Sequence, residues 1–207
     1  AVAQPAYPSK PLRLVVTFPT GGAPDILARL FSEKAQLGQS VVVDNKPGAS
    51  GNIGADAVAK AVPDGHTLLA SYNSAIAPGA LLYNKLGYDP LKDFKHIALI
   101  GVFPQFMVVR SDHPAKTVQD FLAMVRAKPG AVNYSSAGVG TSGFLAAEML
   151  KQALKLDMTH VPYKGNGQVM TETISGEVAF TFPTLPSAVP FVKDGQLRAL
   201  GVTGSRR

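Results

Sequence analysis

Leu12-Arg13-Leu14-Val15-Val16-Thr17-Phe18-Pro19-Thr20-Gly21-Gly22-Ala23-Pro24-Asp25-Ile26-Leu27-Ala28-Arg29 is the stretch that decides the fold. Residues 12–18 are a short β-rich run, and Pro19 to Gly22 form a turn. A helix is then expected over 24–35, with Ile26, Leu27, Leu30 and Phe31 on one face. The same order recurs downstream. A buried strand over 41–43 meets Lys46-Pro47-Gly48-Ala49-Ser50-Gly51, and a helix over 52–61 stops at Pro63-Asp64-Gly65. A third strand over 67–70 ends in Ser71-Tyr72-Asn73-Ser74. Strands joined by helices of this length pair in parallel, because a parallel pair needs a crossover.

The rhythm restarts after Asp93. Segments 96–102 and 105–109 are strand-like, and 117–127 is a helix ended by Lys128-Pro129-Gly130. A strand over 132–135, a Gly-rich loop and a helix to about residue 154 follow. Next come a strand over 158–161, a helix over 166–175, a strand over 178–182, a Pro-bounded helix to Lys193 and a strand over 197–202. The fold class is therefore α/β, in two lobes spanning 1–103 and 104–207, with no long linker between them.

Composition narrows the function. In 207 residues, 46% are hydrophobic and 16% charged, as in an ordinary globular chain. No apolar run approaches the ~18 residues of a membrane helix. The longest, 97–109, is broken by Gly101, Pro104 and Gln105. Ala1-Val2-Ala3 reads as the small-x-small end of a removed signal peptide, so an exported, periplasmic protein is expected. The absence of cysteine excludes thiolate metal sites, disulfides and thiol catalysis. The net charge of +6 is dispersed, with Arg206-Arg207 its densest pair, so nucleic acid is not an expected partner.

Ligands of open parallel sheets sit where strands end and helices begin. Helix N-termini there present free N–H groups and the positive dipole end to an anion. Three loops have this form: Gly21-Gly22 to Asp25, Gly48 to Gly51, and Gly138 to Gly143. Gly138, Gly140 and Gly143 also spell G-x-G-x-x-G, but the next strand ends His160-Val161-Pro162-Tyr163-Lys164 without the acid that would hold a ribose. No Walker lysine follows any Gly-rich loop, and no cofactor is expected. His66, His96, His113 and His160 stand singly, without metal-ligand spacing. Ser142 lacks a G-x-S-x-G elbow, so its capping role outweighs a nucleophilic one. Asp25 suits the first turn of a helix whether or not a ligand is present.

Several motifs then coincide. Tyr7-Pro8-Ser9-Lys10-Pro11-Leu12, Phe18-Pro19-x-Gly21-Gly22-x-x-Asp25 and Asp44-Asn45-Lys46-Pro47-Gly48-Ala49-x-Gly51-Asn52 resemble the opening of Bug-type tricarboxylate-receptor proteins. So do Asp64-Gly65-His66-Thr67-Leu68, Tyr88-Asp89-Pro90-Leu91, Ser136-Ala137-Gly138-x-Gly140-Thr141-Ser142, His160-Val161-Pro162-Tyr163-Lys164-Gly165 and Leu185-Pro186-Ser187-Ala188. The resemblance runs from Tyr7 to the last residue.

It implies a two-lobed fold of the type II periplasmic-binding-protein kind, without catalysis or cofactor, that captures a small organic carboxylate for a tripartite transporter. A ligand carboxylate would be held by backbone N–H groups, hydroxyls and water. Gly21, Gly22 and Asp25, with Ser71, Asn73 and Ser74, would serve from the first lobe. Ser136, Ala137, Gly140, Thr141 and Ser142 would present the second-lobe helix terminus, flanked by Tyr163, Lys164 and Gly165. Relatives often carry His at Phe144 and Phe-Asp-Asn at Phe182-Pro183-Thr184, so either a less polar ligand or a different anchoring of its distal end, Thr184 included, is expected. They also continue past Arg207 to complete the first lobe, which is expected to be incomplete in the sequence as given: either the chain continues in the same way, or it is a short form that compensates by dimerising. Expected partners are the acid and membrane transporter subunits. A sensor kinase signalling from the same cleft is the alternative, and a Ser-dependent hydrolase ranks last.

Overall fold

The computed structural model of the chain describes residues 6–83 and 85–204. The leader-like Ala1-Val2-Ala3 and the Arg206-Arg207 pair lie outside them. The chain divides into two compact units, Ala1–Lys95 and His96–Arg207.

In the first unit, β1 (Leu12–Val16), β2 (Val41–Asn45) and β3 (Thr67–Ala70) form a parallel sheet in the order β2-β1-β3. Helix α1 (Ala23–Lys34) follows β1. A 3-10 turn at Ala49–Gly51 leads from β2 into α2 (Asn52–Ala59), and a second such turn, Asn73–Ala75, follows β3 before the short α3 (Pro78–Leu82). Leu12, Leu14 and Val16 pack with Ala28, Val41 and Ala70, while Ala55, Ala75 and Tyr88 form a separate cluster. The face of α1 differs from the expected one. Ala23, Pro24, Asp25 and Ala28 are buried, whereas Ile26, Leu30 and Phe31 are 45%, 49% and 43% exposed. Small residues let the helix sit close on the sheet, and the large apolar ones point elsewhere.

The second unit is a five-stranded sheet of order β6-β5-β7-β4-β8. Its strands are β4 (Phe106–Arg110), β5 (Val132–Ser136), β6 (Met158–Pro162), β7 (Phe180–Thr181) and β8 (Leu197–Val202). Strands β6, β5 and β7 are parallel, and β4 runs antiparallel to both β7 and β8. Its helices are α4 (Val118–Ala127), α5 (Ser142–Ala153), α6 (Asn166–Ser175) and α7 (Leu185–Lys193). Alternation along β4 separates two cores, as the two-residue period of a strand requires. Met107 and Val109 join Phe121, Tyr134, Ala147 and Phe180, while Val108 joins Val169, Met170, Ala188 and Leu197.

Two expected strands changed most. Residues 178–182 shorten to Phe180–Thr181, because only Val108 and Val109 of β4 and Tyr134 and Ser135 of β5 pair with them. Segment 96–102 forms no strand, and Ile97, Leu99, Ile100 and Val102 are 69–82% exposed. Its apolar residues suit a strand buried on both faces, yet no described strand pairs with it.

Candidate functional site

In each unit the loops of interest leave the carboxyl ends of parallel strands. Helices α1 and α2 follow β1 and β2, and α5, α6 and α7 follow β5, β6 and β7. None of these five carries a side-chain hydrogen bond at its N-cap. Helix α4 follows the antiparallel β4 and so starts at the opposite end of its sheet. It is closed by a full capping box, in which Thr117 Oγ1 accepts from the Asp120 N–H (3.1 Å) and Asp120 Oδ2 from the Thr117 N–H (2.9 Å). At a helix start of this kind the dipole favours an anion by about 0.3–1 kcal/mol, more when partly buried.

The second-unit loop is tightly determined. Ser136 (2% exposed) ends β5, and its Oγ accepts from the Gly138 N–H at 3.1 Å. Gly138 and Gly140 adopt φ of 122° and 83°, a region that disfavours side chains. Thr141, the N-cap of α5, donates from Oγ1 to the Gly138 carbonyl (2.7 Å) and from its N–H to the same oxygen (3.2 Å). Its hydroxyl is thereby spent on loop shape, not on capping. Ser142 opens the helix, half-buried, and Ala137 is buried behind the loop. At Gly143 an added Cβ would fall inside contact distance of the Phe182 carbonyl oxygen, so the first turn of α5 is pressed against the end of β7.

Neighbouring helix starts are tied to this end of the sheet. The Tyr163 N–H donates to the Ser136 carbonyl (2.9 Å), Lys164 is exposed, and Gly165 is the N-cap of α6. Burial, with Glu172 and Glu177 adding to it, pushes the Tyr163 phenol up. Thr184, the buried N-cap of α7, shares a hydrogen bond with Ser187 (3.1 Å), and Asn166 Nδ2 donates to Ser187 Oγ (3.4 Å). The first turns of α6 and α7 are thus linked through Ser187 by Asn166, a side chain not among the expected site residues.

In the first unit, Gly21 is exposed at φ 84° and Gly22 is the N-cap of α1. Asp25 is 3% exposed, and both of its oxygens are engaged. Oδ2 accepts from the Gly21 N–H (3.0 Å) and Arg29 Nε (3.1 Å), and Oδ1 accepts from Asn45 Nδ2 (3.0 Å). Burial raises its pKa, but the hydrogen bonds from Arg29, Gly21 and Asn45 outweigh burial and hold the carboxyl below its usual range. Ser71 Oγ lies 2.8 Å from Thr17 Oγ1. Ser74 is buried and donates to the Ser50 carbonyl (2.8 Å), while Asn73 is exposed. Among the described residues no group of three His, Asp or Glu is placed to hold a metal ion, and no helix is long and apolar enough to cross a membrane.

Comparison with known proteins identifies the family and the fold. Residues 27–207 match the family described as "Tripartite tricarboxylate transporter family receptor". A protein from the tcbD-tcbE intergenic region of Pseudomonas sp. (strain P51) is 36% identical over 204 residues, covering 98% of this chain and 60% of that protein. BugT of Bordetella pertussis is 34% identical, covering 100% of this chain and 64% of its own length. The chain spans about 60% of the length of the curated relatives it matches. Among solved structures, R. palustris Rpa4515 with adipate superposes with a TM-score of 0.94 at 35% identity, over 98% of this chain and 68% of that one. MatC from Rhodopseudomonas palustris with bound malate gives 0.89 at 33% identity, over 97% and 69%.

Proposed function

Because the chain belongs to the family of tripartite tricarboxylate transporter receptors, we propose that it is a periplasmic receptor that captures a small organic carboxylate and delivers it to membrane transporter subunits. The observation that carries this reading is the division between capped and uncapped helices. Helix starts at the carboxyl ends of the parallel strands have no side-chain cap, and α4, at the other end, has a complete one. One ligand carboxylate is seated on the first-turn amides of α5, beside the loop from Ser136 to Thr141. Ala137, Gly140 and Ser142 belong to that seat, and Tyr163, Lys164, Gly165 and Thr184 flank it. Within the first unit, Gly21, Gly22, Ser71, Asn73 and Ser74 are the candidate ligand contacts, and Asp25 shapes the Gly21 loop.

Neutral N–H donors suit this task. They stabilise a carboxylate by charge-assisted hydrogen bonds without a buried cation that must first lose its water. The neighbours' adipate and malate share a carboxylate at each end of a short carbon chain, so a dicarboxylate is the expected class. No chemical step is required of the protein.

Thermal unfolding against a panel of aliphatic, hydroxy, aromatic and amino acids tests the reading. A ligand at a hundred times its Kd stabilises the folded chain by about 2.7 kcal/mol, which for a chain of this size raises Tm by several degrees. The expected result is a concentration-dependent shift with aliphatic or hydroxy dicarboxylates. A cooperative melt that no acid moves would sink the proposal.

A further inference from the structure

His160 is held between two aromatic rings. The pairing of β5 with β6 sets it opposite Tyr134, and the two rings stack at 4.9 Å and 27°. Phe144 of α5 packs against it at 4.8 Å. From that position Nε2 reaches Ser136 Oγ at 2.7 Å. The serine hydroxyl has one proton and two candidate acceptors, His160 Nε2 and the Gly138 carbonyl at 3.2 Å. The shorter contact takes the proton, and the Gly138 carbonyl is already served by Thr141 through its hydroxyl and its N–H. Ser136 Oγ meanwhile accepts from the Gly138 N–H. An unbroken chain of hydrogen bonds therefore runs from the imidazole through Ser136 and Gly138 to Thr141, the residue from which α5 starts.

We propose that His160 is a positioning residue for the carboxylate seat: acting through Ser136, it holds the loop from Gly138 to Thr141 in the shape that presents the start of α5 to the ligand. This rests on the reading of α5 as the carboxylate seat. The arrangement also couples the seat to the protonation state of the imidazole. A neutral His160 accepts from Ser136 and carries its proton on Nδ1. A cationic one must donate from Nε2, so Ser136 has to turn its proton toward the Gly138 carbonyl. The titratable groups facing the ring are Tyr134 on β5, whose hydroxyl donates to Glu148, and Glu148 and Lys151 on α5. Burial lowers the imidazole pKa, Glu148 raises it and Lys151 lowers it, with a net fall that keeps the ring neutral at neutral pH.

The test uses His160→Phe, which keeps a ring between Tyr134 and Phe144 but offers no acceptor. It also uses His160→Gln, whose amide can stand in for Nε2, and Ser136→Ala alone and combined with His160→Phe. His160→Phe and Ser136→Ala each weaken adipate binding about tenfold, the order expected from one lost hydrogen bond, and the double variant is no weaker than either single one. His160→Gln recovers most of the affinity. In ligand-free wild-type protein the Gly138 and Thr141 amide resonances move with the titration of His160, and in His160→Phe they stop doing so. Wild-type affinity in a folded His160→Phe, additive losses in the double variant, or amides that ignore the His160 titration would each overturn the assignment. If the wild-type chain binds no acid, the proposed function fails while the amide titration still decides the linkage.

Discussion

Gly143→Val is expected to abolish carboxylate binding and to lower the stability of the second unit. Residue 143 is the second position of α5, and the space a Cβ needs is taken by the carbonyl oxygen of Phe182, with the Phe182 carbonyl carbon at 3.4 Å. These are backbone atoms at the end of β7 and cannot swing aside as a side-chain tip would. Helix α5 must therefore move off the sheet, at a cost of about 1–3 kcal/mol for overpacking. The same movement carries the first-turn amides and Thr141 out of register with the loop. Gly167→Ala is the matched control, since an added Cβ there meets nothing within 4 Å in the first turn of α6. Alanine at a compatible site is expected to be neutral or to stabilise by about 0.4–1 kcal/mol. Urea denaturation and calorimetric titration of both variants check the pair. Normal affinity in Gly143→Val would mean that the placement of α5 does not govern binding.

The second large effect falls on stability rather than affinity. Asp25→Ala removes the acceptor of three separate donors: the Gly21 N–H, Asn45 Nδ2 and the Arg29 guanidinium. These bonds join the Gly21 turn, the start of α1 and the end of β2. Arg29 is half exposed and re-solvates, so the loss is about 2–3 kcal/mol, below that of a fully buried pair. The pH dependence has a definite sign. The folded carboxyl lies below its ordinary value of 3.8, so its stabilisation is complete above that value and is lost as pH falls through the depressed folded value. Asp64, Asp89 and Asp120 are also held low at the surface, so the wild type loses stability in acid for several reasons. Comparison with Asp25→Asn isolates the share of this site. Urea midpoints measured from pH 7 down to pH 3 should fall less steeply in Asp25→Asn, and equal slopes would remove Asp25 from the account.

Much of the fold could be read from the sequence, because strands and Gly or Pro stops carry their own signal. Segments 67–70, 166–175 and 197–202 have the bounds their residues suggest. Where the reading went astray, tertiary packing decided. The apolar periodicity of Ile26, Leu30 and Phe31 marks a face of α1, but the sheet takes the small residues Ala23 and Ala28 instead. Residues 96–102 have the composition of a buried strand and lack a strand to pair with among those described.

The loops of the candidate site were visible as Gly turns followed by helix starts. The internal bonding was not. Asp25 and Ser74 look like free ligands in sequence, and only the fold shows their oxygens engaged with Gly21, Asn45, Arg29 and Ser50. His160 looks isolated because its partner lies 24 residues away, brought alongside by the β5–β6 register.

Calorimetric titration of adipate into the wild-type chain and into a Thr141→Pro, Ser142→Glu double variant tests the central claim most directly. Proline removes the N–H that Thr141 gives to the Gly138 carbonyl, and glutamate places a negative charge where the ligand carboxylate would sit. The account predicts saturable one-to-one binding to the wild type and none to the variant. Equal binding to both would contradict it.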